Sequence, residues 1–283
     1  MLNPNDFKQA IKSVDALGAN PSVLAKVAAM AKDPNADLDT ICALLRNDGP
    51  LVADVIRISN TPYYSPVTPH TNLNSAVMCI GMHEVIQVVN LSLSLKLFAR
   101  NLGSYGISAY EYWSTSVSCA LVMEALAKKT DLNSQDAFTL GILHAIGRVL
   151  INRIIDETGF SIYWNPPKLI EAWERETVGF DSAAAGAMLL EHWDFPPETC
   201  AIISAQFNPQ SDAPPVSLFG LLQFTTRLLM LTGTDLSGTG WTLPESDPFV
   251  QATGLTTEDT VQLLAGCRET LKSIEESVGM DHP

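Results

Sequence analysis

The sequence predicts an all-α protein built as two lobes of a multi-helix bundle. Apolar residues recur every three or four positions along most of the 283-residue chain, and this spacing places them on one face of a helix. No segment shows the alternation of apolar and polar residues between hairpin turns that is typical of strands. Gly, Pro, Asn and Asp cluster between the helical segments, where they favour turns. We therefore expect about a dozen helices.

Five helices are predicted in the first part of the chain, and particular residues mark their ends. Asp37 and Asp48 are placed to cap two of them, because an aspartate side chain accepts a hydrogen bond from the free N–H groups of a first helical turn. Pro21 lies near the first turn of another, where a missing N–H has no cost. Gly81 interrupts the last apolar stretch. The predicted helices are 21–31, 38–45, 51–59, 72–80 and 82–100.

Residues 61–71 contain three prolines, so we expect an ordered loop there rather than a helix. Asn60 precedes this loop and is expected to hold it through hydrogen bonds from its side chain to the backbone. Tyr63 and Tyr64 have two interpretations. Either they belong to the loop that Asn60 ties down, or together with Asn60 they form an exposed surface for a protein partner, since tyrosine is enriched at interfaces.

The boundary between the lobes is placed at residue 104, inside a glycine-containing linker at 101–108. The N-terminal lobe is then 1–104 and the C-terminal lobe 105–283. The segment 232–254 is rich in Gly, Thr, Ser and Pro and should be a long loop. The helices predicted in the C-terminal lobe are 109–129, 134–155, 167–177, 182–193, 197–206, 215–231 and 257–278.

Composition excludes several classes of function. The 17 basic and 31 acidic residues give a formal net charge of −14, which argues against nucleic-acid binding, because contacts with phosphates need clustered Lys and Arg. The longest apolar run, 85–99, is interrupted by polar residues and is shorter than the ~20 residues of a membrane helix. The start of the chain has no signal-peptide pattern. We therefore predict neither a nucleic-acid partner nor a membrane partner.

The five cysteines, Cys42, Cys79, Cys119, Cys200 and Cys267, are odd in number and widely spaced. A disulfide framework or a zinc knuckle would need closer pairs. We expect these side chains to be small buried hydrophobic groups. Unpaired cysteines are typical of a reducing compartment, so we predict a cytoplasmic protein.

The common catalytic motifs are absent from the sequence. Neither a glycine-rich phosphate loop nor a nucleophile elbow occurs. His83 and Glu84 begin like a zinc-protease helix, but the second histidine is missing because Gln87 stands four positions after His83, and we expect a solvated helix face. His144 differs because it lies inside the apolar stretch 140–150. A buried imidazole must find a partner, so His144 is either a hydrogen-bonded core residue or part of a site.

The sequence around His144, Leu-His-Ala-Ile-Gly-Arg, resembles the metal-binding helix of the HD superfamily of metal-dependent phosphohydrolases. In that superfamily an adjacent His and Asp bind a metal, whose activated water attacks a phosphoester. Upstream motifs, taken in order, resemble the HDOD domain, the HD-related output domain of bacterial signalling proteins. The resemblance covers about residues 15–210. The motifs that carry it lie at 21–24, 33–38, 45–51, 56–64, 73–81 and 140–150.

The resemblance implies a set of metal ligands, and most of those positions hold other residues here. Ala145 stands where the paired Asp would be, and a methyl group cannot ligate a metal. Thr115 stands where the phosphohydrolases carry an upstream His, and Thr226 stands at the position of the downstream Asp. Only His144 remains. One imidazole holds a divalent cation weakly, because affinity requires several converging ligands.

Other HDOD sequences often keep a histidine at the position of Ser182 and a His-His pair before a proline, where this chain has Gln206 and Phe207. What remains is a vestigial pocket. Arg148 follows His144 by one helical turn, so the two could together bind a phosphate or carboxylate. Alternatively, Arg148 forms a salt bridge with one of the many acidic residues. The residues expected to line the pocket are His144, Arg148, Trp113, Thr115 and Gln206.

The resemblance and the departures from it predict a non-enzymatic output module of bacterial signal transduction. Such a module would act through contacts with a protein partner and would use neither a metal nor another cofactor. The enzyme alternative is a divergent phosphohydrolase whose ligands escape recognition. The third alternative is a sensor of a small anionic ligand or a nucleotide, bound near His144 and Arg148.

Overall fold

The protein is all-α, as the sequence predicts. Fourteen α-helices and one short 3₁₀ helix form in the described part of the chain, and no strand is present there. The residues that the computed structural model describes are 4–15, 22–31, 37–61, 64, 67–159, 161–208, 213–233, 236, 238 and 240–278.

The two predicted aspartate caps of the early helices are confirmed. The Oδ1 atom of Asp37 accepts a hydrogen bond from the Thr40 N–H (2.6 Å), and Oδ1 of Asp48 accepts one from the Leu51 N–H (2.9 Å). Gly81 divides the fifth helix because its φ of +81° is a conformation that glycine adopts readily. The helices of this part are α1 (Pro4–Asp15), α2 (Ser22–Ala31), α3 (Leu38–Leu45), α4 (Gly49–Ser59) and α5 (Leu73–Leu97).

The segment predicted as a linker is packed against the protein. It contains the 3₁₀ helix Gly103–Tyr105, and Leu102 pairs with Ile107 through a single antiparallel bridge. The side chains of Leu102 and Tyr105 are buried. A connected set of buried apolar side chains extends through both parts of the chain, and the lobe boundary at residue 104 stays a prediction.

Four predicted ranges after the linker differ from the structure, and one of them, the helix predicted at 215–231, begins at Leu218. The range 134–155 contains two helices instead of one. The loop predicted at 232–254 contains a short helix, whose first turn is capped by Asp247. The helix predicted at 167–177 begins later, at Ile170. The helices are α6 (Ala109–Lys129), α7 (Ser134–Leu143), α8 (Gly147–Thr158), α9 (Ile170–Val178), α10 (Ser182–His192), α11 (Pro197–Ala205), α12 (Leu218–Thr232), α13 (Pro248–Thr253) and α14 (Thr257–Val278).

Two close backbone contacts flank the break between α7 and α8. A Cβ atom on Gly141 would lie 2.4 Å from the Ala120 Cα in α6, and one on Gly147 would lie 2.0 Å from the Ser182 carbonyl oxygen in α10. Only glycine allows helices to approach this closely. The two contacts fix α7 against α6 and α8 against α10, and residues 144–146 form a turn between them, named here the His144 turn.

Helix α1, which the sequence analysis did not predict, packs on the C-terminal part of the chain. Val14 is buried, and the Ser13 hydroxyl donates to Oε1 of Glu157 in α8 (3.0 Å). Asp15, at the end of α1, accepts a hydrogen bond from the indole N–H of Trp193 (3.0 Å). The first helix therefore belongs to the same folded unit as α8 and α10.

The segment Ser134–Thr158 is long and apolar enough, by length and composition, to cross a membrane. Of its most apolar 18-residue stretch, 89% is buried within the protein. Such burial is typical of the core helices of globular proteins.

The five cysteines are free thiols. Four of them are buried as predicted, but Cys79 is exposed on α5, so the expectation of burial is wrong there. Burial raises the pKa of the Cys267 thiol to about 12, with a contribution from the charge of Glu124. Burial likewise raises the pKa of the Cys119 thiol. These two thiols are poor nucleophiles, since the thiolate is the reactive form.

Candidate functional site

His144 is buried at the start of the turn between α7 and α8, with 8% of its surface exposed. Its Nδ1 lies 2.7 Å from the Gly141 carbonyl oxygen, and because a carbonyl only accepts, Nδ1 carries the proton and Nε2 carries the lone pair. Burial, with a smaller contribution from the positive charge of Arg148, lowers the pKa of His144 to about 4, although the hydrogen bond to Gly141 opposes the change. The imidazole is therefore neutral at physiological pH.

The backbone of the His144 turn is held from two other helices. The side-chain amide of Gln206, just after α11, donates from Nε2 to the His144 carbonyl oxygen (2.9 Å). The buried hydroxyl of Tyr112 in α6 donates to the Ala145 carbonyl oxygen (2.6 Å). The His144 carbonyl has no other partner among the described residues at the end of α7, whereas the Ala145 carbonyl also accepts a hydrogen bond from the Arg148 N–H (3.0 Å). Gln206 and Tyr112 thus fix the turn to α11 and α6.

Arg148 lies half-buried in the first turn of α8, and its Nε is buried without a hydrogen-bond partner. No ion pair of Arg148 occurs within the described residues. Its charge acts on Glu174, a fully buried side chain in α9. Burial raises the pKa of Glu174, whereas hydrogen bonds from the Ser182 N–H and the Tyr105 hydroxyl, and the charge of Arg148, lower it. Arg148 and Glu174 therefore interact electrostatically without direct contact.

Glu174 forms a buried polar junction that the sequence analysis did not find. Its Oε1 accepts from the Tyr105 hydroxyl (2.9 Å), and its Oε2 accepts from the Ser182 N–H at the start of α10 (2.6 Å). The junction connects the segment after α5 with α9 and α10. Glu174 gave no signal in the sequence, because the groups that it binds come from distant parts of the chain.

Three residues of the implied site use their polar atoms elsewhere. Trp113 is fully buried in the core, and its indole N–H donates to the Ser94 hydroxyl in α5 (3.0 Å). The Thr115 hydroxyl donates to the Glu111 carbonyl of its own helix (2.6 Å). The Thr226 hydroxyl likewise donates to a carbonyl one turn earlier in α12 (3.0 Å). Each of these side chains is satisfied within the fold.

The residues present do not fit the metal centre that the HD relationship implies. Nowhere in the described part of the chain do three or more His, Cys, Asp or Glu side chains gather where they could hold a metal ion. At the implied positions, Ala145 offers no donor atom, and the Thr115 and Thr226 hydroxyls donate to backbone carbonyls. His144 retains Nε2 as one possible ligand. A single neutral nitrogen does not make a stable site for a divalent cation.

Gln206 also lines a cavity of about 530 Å³ together with Phe219, Arg227 and Asp247. The Arg227 guanidinium donates through Nε and Nη2 to Oδ2 of Asp247 (3.0 and 2.7 Å). This arginine is paired within the protein, so an anion entering the cavity would have to compete with Asp247 for it.

The loop after α4 is held by Asn60, as predicted. The Asn60 amide donates to the His70 carbonyl (2.9 Å) and accepts from the His70 N–H (2.7 Å), so it joins the two ends of the loop. Tyr64 is half-buried and packs against the core. Tyr63, the other residue predicted for a partner surface, lies outside the described residues. Val67 is fully exposed in this loop.

A comparison with known protein families identifies the fold. The profile of the HDOD domain matches residues 17–209, which is more than half of the chain. The chain belongs to the HDOD domain family. It therefore belongs to an HD-related family that is associated with signalling, and His144 lies within its HDOD region.

Relatives and solved structures agree with this assignment. A protein of Treponema pallidum (strain Nichols) is 24% identical over 227 residues, which is 76% of this chain and 43% of that protein, so the chain spans less than half the length of this relative. An HDOD domain protein from Geobacter sulfurreducens has a TM-score of 0.67 at 18% identity and covers 96% of this chain and 97% of its own.

A protein from Marinobacter aquaeolei VT8, provisionally named a signal transduction protein, has a TM-score of 0.70 at 20% identity and covers 98% of this chain and 65% of its own. At these identities the two structures establish the shared fold. The α-helical architecture of this HDOD protein is thus common to proteins of several bacteria.

Proposed function

We propose that this HDOD protein is a non-enzymatic output module that acts in bacterial signalling by binding a protein partner in the cytoplasm. The observation that carries the proposal is the commitment of the His144 turn to internal hydrogen bonds. His144, Gln206 and Tyr112 all use polar atoms to hold the turn. A region that binds a metal in HD phosphohydrolases therefore acts here as a structural joint.

Charge and chemistry support a protein as the partner. A net charge of −14 repels the phosphates of nucleic acids and of anionic membrane surfaces. The loop after α4 supplies a candidate contact surface, because Asn60 fixes its ends while Val67 is exposed. A preorganised loop lowers the entropic cost of binding.

The enzymatic alternative is tested by metal content. Protein purified without chelators should contain iron, manganese and zinc well below one ion per chain, and a His144→Ala variant should contain the same amounts. The protein should also fail to hydrolyse bis(p-nitrophenyl) phosphate with any of these metals added. Stoichiometric metal that is lost in His144→Ala, together with hydrolysis, would establish a phosphohydrolase.

The contact surface is tested with two matched substitutions of exposed apolar residues. Val67→Asp changes the loop after α4, whereas Met230→Asp changes another largely exposed apolar position, on α12. Tagged wild-type protein and both variants are used to recover partners from the native host. A protein recovered with wild type and Met230→Asp but not with Val67→Asp supports the loop as the binding surface. Equal recovery with all three removes the loop from the proposal.

A further inference from the structure

A second cavity lies where α1, the end of α5 and α8 meet, and Val149, which follows Arg148, is among the residues that line it. It has a volume of about 240 Å³, close to the lower limit of ligand pockets, which begins at about 300 Å³. Its floor is apolar and consists of buried side chains from three separate segments of the chain. They are Val14, Leu97, Leu102 and Val149.

The rim of this cavity carries one cation without a partner. Arg100, just after α5, is exposed and lines the cavity. It forms neither an ion pair nor a hydrogen bond with the described residues. Arg153 also lines the cavity, but its Nε donates to Oε1 of Glu157 (3.1 Å). In a chain of net charge −14, an arginine left unpaired beside a cavity is available to a carboxylate.

The same rim carries an acid. Asp156 in α8 lines the cavity, and its Oδ2 accepts a hydrogen bond from the Asn152 side-chain amide (2.9 Å). Partial burial raises the pKa of Asp156, and the charge of Glu157 adds to this effect, while Arg153 and Asn152 oppose it. Asp156 therefore gains from a positive charge placed in the cavity. A simple anion would pair with Arg100 but would be repelled by Asp156. A simple cation would pair with Asp156 but would be repelled by Arg100.

We propose that this cavity binds a small zwitterion with an apolar body, such as a free aliphatic amino acid. Its carboxylate would pair with Arg100, its ammonium group would pair with Asp156, and its side chain would lie on the apolar floor. Such a ligand would contact α1, the segment after α5 and α8 at once. Asn152 already accepts the Ser104 N–H through Oδ1 (3.0 Å), so the ligand would reinforce the attachment of that segment to α8.

This proposal is independent of the proposed function, since a module that binds a partner can act with or without a ligand. A ligand bound in this cavity would be a signal to which such a module could respond. A ligand that binds only the folded state raises the melting temperature, so the site predicts a response of the whole protein to amino-acid concentration.

The test compares the effects of three small molecules of similar shape on the melting temperature of the 283-residue chain. L-leucine carries both charges, 4-methylpentanoate lacks the ammonium group, and isoamylamine lacks the carboxylate. We expect leucine at tenfold its Kd to raise the melting temperature by about 3 °C, with weaker effects of the other two. Equal effects of leucine and 4-methylpentanoate would overturn the zwitterion assignment. An absence of any effect of leucine up to about 10 mM would overturn the site.

Substitutions locate the binding by titration calorimetry with leucine. Arg100→Gln should weaken binding roughly 10- to 100-fold, because a charge-assisted hydrogen-bonded pair is lost, and Asp156→Asn should weaken it by about tenfold. Both residues are exposed, so the variants should fold normally. Arg268→Gln, on α14, is the control and should bind as wild type does. Binding that survives in both Arg100→Gln and Asp156→Asn would place leucine elsewhere and refute the proposal.

Discussion

The buried imidazole of His144 should make the stability of the protein depend on pH. An unfolded chain has the ordinary histidine pKa of 6.5, whereas burial in the fold lowers the pKa of His144 to about 4. Between these values the unfolded state binds a proton that the folded state does not. The stabilisation is complete above pH 6.5 and is lost as the pH falls toward 4. At 1.36 kcal/mol for each tenfold change in proton affinity, the loss amounts to about 3 kcal/mol.

Urea denaturation at a series of pH values, followed by circular dichroism, measures this loss. His144→Asn is the reference variant, since its amide can donate to the Gly141 carbonyl but does not titrate. The carboxylates titrate in both proteins, so the difference between the two curves of unfolding free energy against pH isolates the contribution of His144. Wild type should lose about 3 kcal/mol more than the variant between pH 7 and pH 4. Parallel curves would show that the imidazole is solvated in the fold and would refute the burial argument.

Three further predictions concern the elements around the turn. In a urea titration, Gly141→Ala should destabilise the protein by about 3 kcal/mol, since the added methyl would meet backbone atoms of α6. The control Gly266→Ala has open space around it and should be neutral or stabilising in the same titration. Tyr112→Phe should lower the free energy of unfolding by about 1 kcal/mol, because the Ala145 carbonyl loses one of its two donors and keeps the Arg148 N–H. A loss below about 0.3 kcal/mol would contradict this. The pKa of Glu174 is raised in the fold, so its carboxyl favours folding below the unfolded pKa, and this contribution disappears as the pH rises through the folded pKa. Glu174→Gln should therefore gain stability relative to wild type from pH 4 to pH 8. Thermal melts that show no such trend would count against this prediction.

The helices with clear end signals could be predicted from local sequence. Asp37 and Asp48 cap their helices through bonds to backbone N–H groups three residues away, and Gly81 interrupts α5 by its own backbone preference. These effects depend on neighbours in the sequence. Helix α1 was missed although Phe7, Ala10, Ile11 and Val14 recur at the spacing of one helix face. Val14 becomes buried because α8 covers it, and no local pattern encodes that contact.

The candidate site was likewise predictable only where it depends on residues that are neighbours in the sequence. The burial of His144 followed from its apolar surroundings, and the fold confirms it. The break after α7 did not, because the local residues, Gly147 included, do not by themselves show where the helix ends. The contacts that flank the break join Gly141 to Ala120, about twenty residues earlier, and Gly147 to Ser182 in α10. The role of Trp113 depends in the same way on Ser94 in another helix.

The hydrogen bond between Asp15 and Trp193 has a practical consequence for dividing this protein. The family match begins at residue 17, two positions after Asp15. A fragment trimmed to the matched region would lose the carboxylate that satisfies the Trp193 indole and the helix that covers part of α8. It would also lose α12, with its fully buried Leu221. The region that matches the family profile is therefore shorter than the region whose side chains pack together in this fold.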